Sequence, residues 1–228
     1  MIGTGATCEP VLMPSAPYSR FGRLAAKPPV AGAGQRIGLL GGSFNPPHEA
    51  HALIGEIALK RLQLDRLWWL VTPGNPLKSG RDLMPLAERL AACRAMVKDP
   101  RITVTAFEKN LPSAYTAATL DYLQLRQPQT RFVWVMGADC LAQFHRWRQW
   151  QHIFMTMPVA VVDRPGWRFP ALASRASRTF QNSRIPETRS AVLASMPAPA
   201  WTFLTSPLSP LSSTQVRGRP DVLAMTSQ

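Results

Sequence analysis

Two histidines three residues apart follow a hydrophobic strand, and their spacing is the first sign of chemistry. His48 and His51 close the stretch GGSFNPPHEAH, in which two glycines come first and a helical pattern begins near Glu49. Glycines let the backbone approach a phosphate closely, and a helix N-terminus adds amide donors and the positive end of its dipole. Both imidazoles lie on one face of the first turn and can donate hydrogen bonds to phosphate oxygens. The stretch therefore predicts an anion site at the start of a helix.

Two other interpretations of these histidines stay open on this stretch alone. A metal pair is compatible with the spacing, but no third ligand is apparent and the pattern is HExH rather than HExxH, so we predict no metal ligands. A helix cap or another structural role is also compatible with the pattern.

A second predicted helix start, LSSTQVR, lies near the other end of the chain. It carries Ser212, Ser213 and Thr214, with Arg217 one turn further on. Hydroxyl residues at a helix start are usually caps, and Ser212 and Gln215 have the spacing of a capping box. Together with the first stretch, however, this second start predicts the other half of a triphosphate clamp.

Short apolar segments alternate with helical patterns from Arg36 onwards. The predicted strands are a first one ending at Gly41 and Gly42, then Leu67–Thr72, Ile102–Ala106, Arg131–Gly137, Val159–Asp163 and Trp201–Leu204. The predicted helices are one after the Pro-Pro step, one opened by Pro85, one near 114–125, one near 140–144, one near 171–181, and LSSTQVR. This alternation predicts a Rossmann-like, doubly wound parallel sheet with helices on both faces and ligands beyond the carboxyl ends of its strands.

Composition divides the chain into two parts and indicates its environment. Residues 1–34 are rich in Pro, Gly, Ala and Ser without periodicity, which predicts a disordered N-terminal extension, and residues 35–228 form a single domain. We expect neither a membrane span nor a signal peptide, because no long apolar run is present. The three scattered cysteines favour free thiols and a cytoplasmic location.

The formal net charge of +13 favours an anionic partner. Between residues 140 and 219 there are ten arginines but only two acids, Asp163 and Glu187. The arginines are scattered rather than gathered in a stripe, and no nucleic-acid-binding motif accompanies them. The charge therefore favours a basic solvated surface, with small phosphorylated substrates and an acidic lipid surface still open, over nucleic acid. A basic nucleic-acid-binding protein stays the alternative that is not an enzyme.

Six stretches in order resemble one known family. GGSFNPPHEAH and LSSTQVR are similar to the two end motifs of the nucleotidyltransferases with an HxGH-type motif. Between them TPGNPLK, SAYTAATL, WVMGADCLAQFHRW and DRPG resemble segments of the nicotinate-nucleotide adenylyltransferase branch. The resemblance covers most of the chain and makes residues 35–228 a nucleotidyltransferase domain.

The resemblance implies transfer of the adenylyl group of ATP, accompanied by Mg²⁺, to nicotinate mononucleotide. The attacking phosphate is already anionic at neutral pH, so no general base or protein nucleophile is needed. Catalysis then depends on aligning two anions and neutralising charge on the phosphates. Another acceptor, such as nicotinamide mononucleotide or phosphopantetheine, stays an alternative, although SAYTAATL and FHRW argue against phosphopantetheine.

The resemblance also implies one set of residues for ATP and catalysis. They are Gly42, Ser43, Phe44, His48, His51, Lys78, Ser213, Thr214 and Arg217. The glycine, serine and phenylalanine of GGSF lie along the phosphates and nucleoside, and both histidines contact the phosphates. The lysine belongs to a phosphate-binding loop, and the last three residues hold the β and γ end.

A second set is implied for nicotinate mononucleotide. Gly137 and Asp139 match positions that contact the riboses, Trp147 matches an aromatic that stacks on the pyridine ring, Thr116 lies near the nicotinate carboxylate, and Arg164 contacts a nucleotide. From spacing alone, Trp147 is also compatible with ordinary core packing and Asp139 with a helix cap.

Two residues depart from the family pattern. Ala50 replaces the second glycine of HxGH, where a methyl group is expected to be tolerated on the far face of the helix. Asn45 replaces a common aspartate, where a turn-stabilising side chain is expected to survive the exchange.

Overall fold

Six parallel strands form one sheet in the order β3-β2-β1-β4-β5-β6. The structure is a computed structural model, and it describes residues 27–74, 83–113 and 115–206. The strands are β1 (Arg36–Gly42), β2 (Arg66–Val71), β3 (Ile102–Thr105), β4 (Arg131–Gly137), β5 (Val159–Val162) and β6 (Trp201–Leu204). This confirms the predicted Rossmann-like parallel sheet. The strand order reverses between β1 and β4, and the carboxyl ends of these two strands border the crevice where such sheets bind ligands.

The strands are apolar on both sides because helices cover both faces of the sheet. Successive side chains point to opposite faces, so Leu39 of β1 and Trp134 of β4 pack in one core layer. Leu40 and Val135, their neighbours in sequence, pack in the other layer. Gly41 leaves room for the Trp134 ring, since a Cβ there would come within 2.4 Å of it.

The helices are distributed unequally over the two layers. They are α1 (Glu49–Arg61), α2 (Leu86–Met96), α3 (Thr116–Arg126), α4 (Ala138–Ala142), α5 (Trp150–Thr156), α6 (Arg168–Leu172) and α7 (Arg175–Thr179). Buried residues of α1 and α2 belong to one core layer, and those of α3 to α7 belong to the other. Helix α1 buries Ile54, Ala58 and Leu59 along one face and ends with Lys60 and Arg61, whose charges suit the negative end of its dipole.

Between residues 150 and 181 the structure differs from the sequence-based expectation at two places. The single helix predicted near 171–181 is divided into α6 and α7, because the Ser174 hydroxyl accepts the Ser177 N–H at 3.2 Å and caps a new helix. Helix α5 was not predicted at all. Its buried residues Trp150, Ile153 and Phe154 have helical spacing. They follow directly after a cluster of aromatic and basic residues, which hides this short helical pattern.

The last residues of the predicted N-terminal extension contact the sheet domain. Gly34 N–H donates to Gln129 O at 2.8 Å, and Gln127 Nε2 donates to Pro29 O at 2.8 Å. Residues 27–34 are therefore placed by contacts that their composition did not indicate. The boundary at residue 34 stays a prediction, because residues 1–26 lie outside the described part of the chain.

None of the helices within the described ranges has both the length and the apolar character that a membrane crossing requires.

Candidate functional site

The turn after β1 carries the first predicted motif and is tied to the end of β2. Thr72 donates to Gly42 O through its N–H at 3.0 Å and its hydroxyl at 3.3 Å. Phe44 has a φ of +45°, which is unusual for a side chain of this size, and its ring stacks on Trp69 with centroids 5.0 Å apart. The turn is thus a specific, strained conformation held by neighbouring strands.

The two histidines of the motif lie against each other at the start of α1. His48 is the N-cap residue, and the ring centroids of His48 and His51 are 3.9 Å apart. The His48 N–H donates to Nδ1 of His51 at 3.2 Å. Because Nδ1 of His51 accepts, a neutral His51 carries its proton on Nε2. His51 is therefore oriented as a hydrogen-bond donor through Nε2.

His48 is buried and stays neutral at physiological pH. Its side chain sits at 4% relative exposure, and burial, with a smaller contribution from the positive charge of Arg164, lowers its pKa to about 4. Its side chain faces the His51 N–H in a capping-box arrangement, but Nδ1 makes no well-aligned hydrogen bond among the described residues. A buried nitrogen without a hydrogen bond destabilises the fold unless a ligand or a water molecule supplies the missing partner. This nitrogen is therefore a candidate contact for a bound group.

The end of β4 lies beside the β1 turn and gathers a glycine, a carboxylate and an arginine. A Cβ on Gly137 would come within 2.4 Å of Asp139 Oδ1 and 2.9 Å of Arg164 Cδ, so only glycine lets these side chains approach. Arg164 Nε lies 3.8 Å from Asp139 Oδ1, an ion pair longer than a hydrogen bond. Five of the predicted site residues thus lie together where the strand order reverses: Gly42, His48, Gly137, Asp139 and Arg164.

The loop after β5 that carries Arg164 is held by a buried carboxylate. Asp163 is 3% exposed, its Oδ1 accepts the Arg164 N–H at 2.9 Å, and its Oδ2 accepts Arg168 Nε at 2.7 Å and Arg168 Nη2. The Ser206 hydroxyl donates to Asp163 O at 3.1 Å. Asp163 thereby fixes the direction in which Arg164 leaves the sheet.

The predicted pyridine contacts lie on the sheet face covered by α3 to α7. Trp147 is partly buried, with its ring 4.9 Å from Phe144 and 6.4 Å, edge-on, from Trp134. Thr116 is the first residue of α3. Arg148 lies 4.7 Å above the ring of Tyr115, so the segment after Trp147 and the start of α3 are in contact. Trp147 packs on the core and keeps part of its surface accessible.

Four of the predicted site residues lie outside the described part of the chain. They are Lys78, Ser213, Thr214 and Arg217, and the predicted helix LSSTQVR lies there with them. Their roles stay predictions.

The two departures from the family pattern have defined surroundings. Ala50 is buried at 4% exposure and lines a small crevice with Arg164 and Pro165, so its methyl group faces the β5 loop and not the far side of the helix as expected. Asn45 is also buried, and its Oδ1 accepts the Met84 N–H at 3.0 Å. Its side chain thus connects two distant segments, beyond the local turn role expected for it.

Sequence reasoning missed two buried charged side chains near the site. Arg89 of α2 is 1% exposed, and Glu108 is 7% exposed with its Oε1 accepting from the Thr119 hydroxyl at 2.7 Å. Burial raises the pKa of Glu108 above its ordinary value. A signal for Arg89 was present, since it follows Leu86 by three residues and precedes Cys93 by four, which places an arginine on the apolar face of the helix.

The described residues contain no group of three or more His, Cys, Asp or Glu side chains arranged to hold a metal ion. The prediction of no protein metal ligands stays a prediction. The paired histidines are engaged with each other and with the helix start.

The family comparison matches residues 39–219 with the cytidylyltransferase-like family. A relative from Rhizobium leguminosarum bv. trifolii is 55% identical over 181 residues, covering 79% of this chain and 94% of its own length. One from Methylorubrum extorquens is 56% identical over 184 residues, covering 81% of this chain and all of its own length. Both carry the name "Probable nicotinate-nucleotide adenylyltransferase".

Solved structures share the fold at low sequence identity. Plasmodium falciparum nicotinic acid mononucleotide adenylyltransferase complexed with NaAD matches with a TM-score of 0.62 and 17% identity, over 81% of this chain and 83% of that one. The same enzyme complexed with APC matches with a TM-score of 0.60 over the same shares. These likenesses concern the fold.

Proposed function

The chain belongs to the nicotinate-nucleotide adenylyltransferases, and from that premise we propose how its residues align the two substrates. The reaction transfers the adenylyl group of ATP to nicotinate mononucleotide, forming nicotinic acid adenine dinucleotide and pyrophosphate in NAD biosynthesis. One observation supports the location best. The β1 turn with its two histidines and the β4 end with Gly137 and Asp139 adjoin where the strand order reverses.

The chemistry requires alignment and charge neutralisation rather than a protein nucleophile. The phosphate of nicotinate mononucleotide attacks the α-phosphorus of ATP, and pyrophosphate leaves on the opposite side. Holding two reactants in line can supply about 7 to 11 kcal/mol of the barrier. Hydrogen-bond donors fixed around the phosphates stabilise the charge that develops on the leaving group.

We assign the ATP phosphates to the β1 turn and the start of α1. Gly42, Ser43 and Phe44 would lie along the phosphates, and His51 would donate through Nε2, the nitrogen left to carry its proton. His48 is neutral at pH 7, so it would contribute one N–H and no full positive charge. Its buried Nδ1, which makes no well-aligned hydrogen bond within the described residues, supports a contact of this kind.

Charge neutralisation then falls to residues other than the histidines. We propose that Lys78 contributes a cation at the phosphates and that Ser213, Thr214 and Arg217 hold the β and γ end, as the family pattern implies. Arg164 supplies a further cation near His48 and Asp139.

We assign the acceptor to the residues at the β4 end, at the start of α3 and around Trp147. Gly137 and Asp139 would contact ribose, since a carboxylate can accept paired sugar hydroxyls, and Arg164 would contact the nucleotide. Trp147 would stack on the pyridine ring with its accessible face, and Thr116 would lie near the nicotinate carboxylate. The partial exposure of Trp147 and the contact between Arg148 and Tyr115 support a shared pocket for these residues.

We propose that Mg²⁺ reaches the site bound to ATP, as part of the substrate. The ion prefers phosphate and water oxygens and needs few protein ligands when it arrives with a nucleotide. The absence of a three-ligand cluster among the described residues is compatible with this mode of binding.

Small-molecule nucleotides are thus the partners, and the positive charge serves anionic substrates rather than nucleic acid. We also propose a cytoplasmic location, since the substrate is ATP and Cys93 is a buried free thiol.

The test is pyrophosphate release by purified protein with Mg-ATP and either nicotinate or nicotinamide mononucleotide. We expect release with the nicotinate substrate and far slower release with the amide. Equal rates would overturn the acceptor assignment. No release, together with salt-sensitive RNA binding, would support the nucleic-acid alternative instead.

A further inference from the structure

One buried arginine donates hydrogen bonds to carbonyl oxygens of separate segments at the carboxyl edge of the sheet. Arg89 Nη1 donates to Ser43 O at 2.6 Å and to Thr72 O at 2.8 Å. Its Nη2 donates to Pro73 O at 3.2 Å, and its Nε donates to Met84 O at 2.9 Å. These oxygens belong to the β1 turn, the end of β2 and the approach to α2. Four bonds from one side chain therefore join three segments.

Within the described ranges, the partners of this cation are peptide carbonyls. None of the ion pairs in the described part of the chain involves Arg89, and its side chain is 1% exposed. Burying a charge without a counter-ion is expensive, typically by several kcal/mol. An apolar residue at this position would pack in α2 without the cost of burying a charge. Packing alone therefore does not explain why the residue here is an arginine.

The bond to Ser43 fixes the direction of a neighbouring N–H. In a planar trans peptide the C=O and the N–H point in opposite directions. Because Arg89 binds Ser43 O, the N–H of Phe44 points away from Arg89. The φ of Phe44 is +45°, a conformation that costs free energy and persists only where the surroundings enforce it. Arg89 is placed to enforce it.

We propose that Arg89 is a positioning residue for adenylyl transfer, which holds the Ser43–Phe44 peptide unit in the orientation that the phosphates of ATP require. This rests on the proposed binding of ATP at the β1 turn. Arg89 itself contacts no substrate and acts through the backbone of the turn. The planar fork of the guanidinium is needed because one ammonium group cannot reach all four carbonyls in this geometry.

The experiment measures steady-state kinetics of Arg89→Lys, which keeps the charge and loses the fork. We expect the KM for ATP to rise about tenfold or more and kcat to fall, because small displacements of bound reactants can cost up to about a hundredfold in rate. The KM for nicotinate mononucleotide should change far less, because its proposed site lies at β4 and α3. An unchanged KM for ATP and an unchanged kcat would overturn the proposal.

A control variant separates positioning from stability. Leu193→Ala removes a fully buried side chain from the 3₁₀ segment Glu187–Ser195, which takes no part in the proposed site. It should lower the unfolding temperature but leave the KM for ATP unchanged below the transition. If Arg89→Lys behaves like Leu193→Ala, with lower stability and normal kinetics, Arg89 is merely structural and the proposal fails.

Chemical rescue provides a second measurement. Arg89→Ala leaves a space surrounded by four carbonyls, and low concentrations of guanidinium ion should restore part of its affinity for ATP while having no such effect on Leu193→Ala. If guanidinium gives folded Arg89→Ala no gain in affinity, the proposal is contradicted. Should Arg89→Ala not fold, the Arg89→Lys kinetics decide alone.

Binding without turnover distinguishes this proposal from the proposed function. The affinity for a non-hydrolysable ATP analogue with Mg²⁺, measured by calorimetry, needs no acceptor. Equal affinities of the wild type and Arg89→Lys for the analogue would overturn the role of Arg89 whatever the acceptor is. If the wild type binds the analogue but releases no pyrophosphate with nicotinate mononucleotide, the proposed function is overturned. The role of Arg89 is then judged from the two affinities for the analogue.

Discussion

The turn after β1 and the loop after β5 are each held by one buried charged residue, and the two charges have opposite signs. The Arg89 side chain only donates, to the carbonyls of Ser43, Thr72 and neighbouring residues. The Asp163 carboxylate only accepts, from the Arg164 N–H and the Arg168 side chain. A buried cation takes up carbonyls, so the N–H groups of the same peptides face elsewhere. A buried anion takes up an N–H and leaves an arginine side chain to project.

The difference matches the two kinds of donor that a reaction between anions needs. The β1 turn offers backbone N–H groups and the neutral imidazole of His48. Both kinds of donor lie close to the backbone and have little conformational freedom. The β5 loop offers the guanidinium of Arg164, which is longer and fully charged, and which approaches Asp139 and His48. Rigid dipoles and a charged side chain thus reach the same crevice from two neighbouring parts of the sheet.

The largest expected effect is on the β1 side, at His51. His51→Ala should lower kcat/KM by about 10³-fold, because one fixed donor to a developing charge is worth about 10² to 10³ in rate. The fold should be retained. The control is His152→Ala, which removes an exposed histidine paired with Asp121. Near-normal turnover of His51→Ala would show that the phosphates do not bind at this turn.

On the β5 side the expected effect is on stability. Asp163→Ala should lower the free energy of unfolding by about 1.5 to 3 kcal/mol, because it leaves the Arg164 N–H without its buried acceptor and removes the partner of Arg168, whose guanidinium still reaches water. Urea denaturation measures this. Arg101→Ala opens an exposed ion pair with Asp99 and should change the free energy of unfolding far less. Similar losses for the two variants would show that Asp163 does not hold the loop.

His48 lies between the two regions and makes stability depend on pH. Its pKa is about 4 in the folded state and 6.5 as the ordinary value, so below pH 6.5 the unfolded chain binds the proton more readily. The free energy of unfolding should therefore fall as pH decreases from about 6.5 to 4, by up to about 3 kcal/mol.

The comparison that isolates this effect is between wild type and His48→Asn. The raised pKa of Glu108 contributes with the opposite sign, since its folded form retains a proton above pH 4.5, but it is common to both proteins. The wild type should lose more stability than the variant across this interval. Arg164→Gln should move the pKa of His48 upward and reduce the difference. Parallel pH profiles for wild type and His48→Asn would contradict the burial of a neutral His48.

The smallest expected effect concerns Asn45. Asn45→Ala removes the acceptor of the Met84 N–H and should cost about 1 kcal/mol in unfolding free energy. Asn45→Asp keeps an acceptor oxygen and should change stability less than the alanine variant does. If Asn45→Asp loses more stability than Asn45→Ala, a negative charge is not tolerated at this buried position. The hydrogen bond with the Met84 N–H would then not be the main contribution of Asn45 to stability.

The sheet and the β1 turn could be predicted because their signals are local. Strands of apolar residues bounded by glycine, and a helix that begins after a Pro-Pro step, are determined by neighbours in sequence. Helix α5 was missed because its helical spacing is short and lies among basic and aromatic residues. The division of α6 from α7 depends on the Ser174 cap, a single side-chain bond within a Pro-rich and Arg-rich stretch.

The site was predicted residue by residue from motifs, but its organisation was not. Arg89 was not predicted to matter, since its side-chain hydrogen bonds run to carbonyls up to 46 positions away. The neutral state of His48 depends on its burial and on Arg164, and the reach of Asn45 to Met84 depends on where two loops meet. The roles of Lys78, Ser213, Thr214 and Arg217 remain predictions from the motifs.

The sequence alone determined the class of fold and the family, and it supplied the candidate residues for binding phosphates, because periodicity, turn chemistry and motif order are properties of neighbouring residues. Only the tertiary structure decided which charges are buried, which histidine nitrogen donates, and which side chains hold the loops at the carboxyl edge. Those properties arise from burial and from hydrogen bonds between distant segments, and they exist only once the strands are side by side.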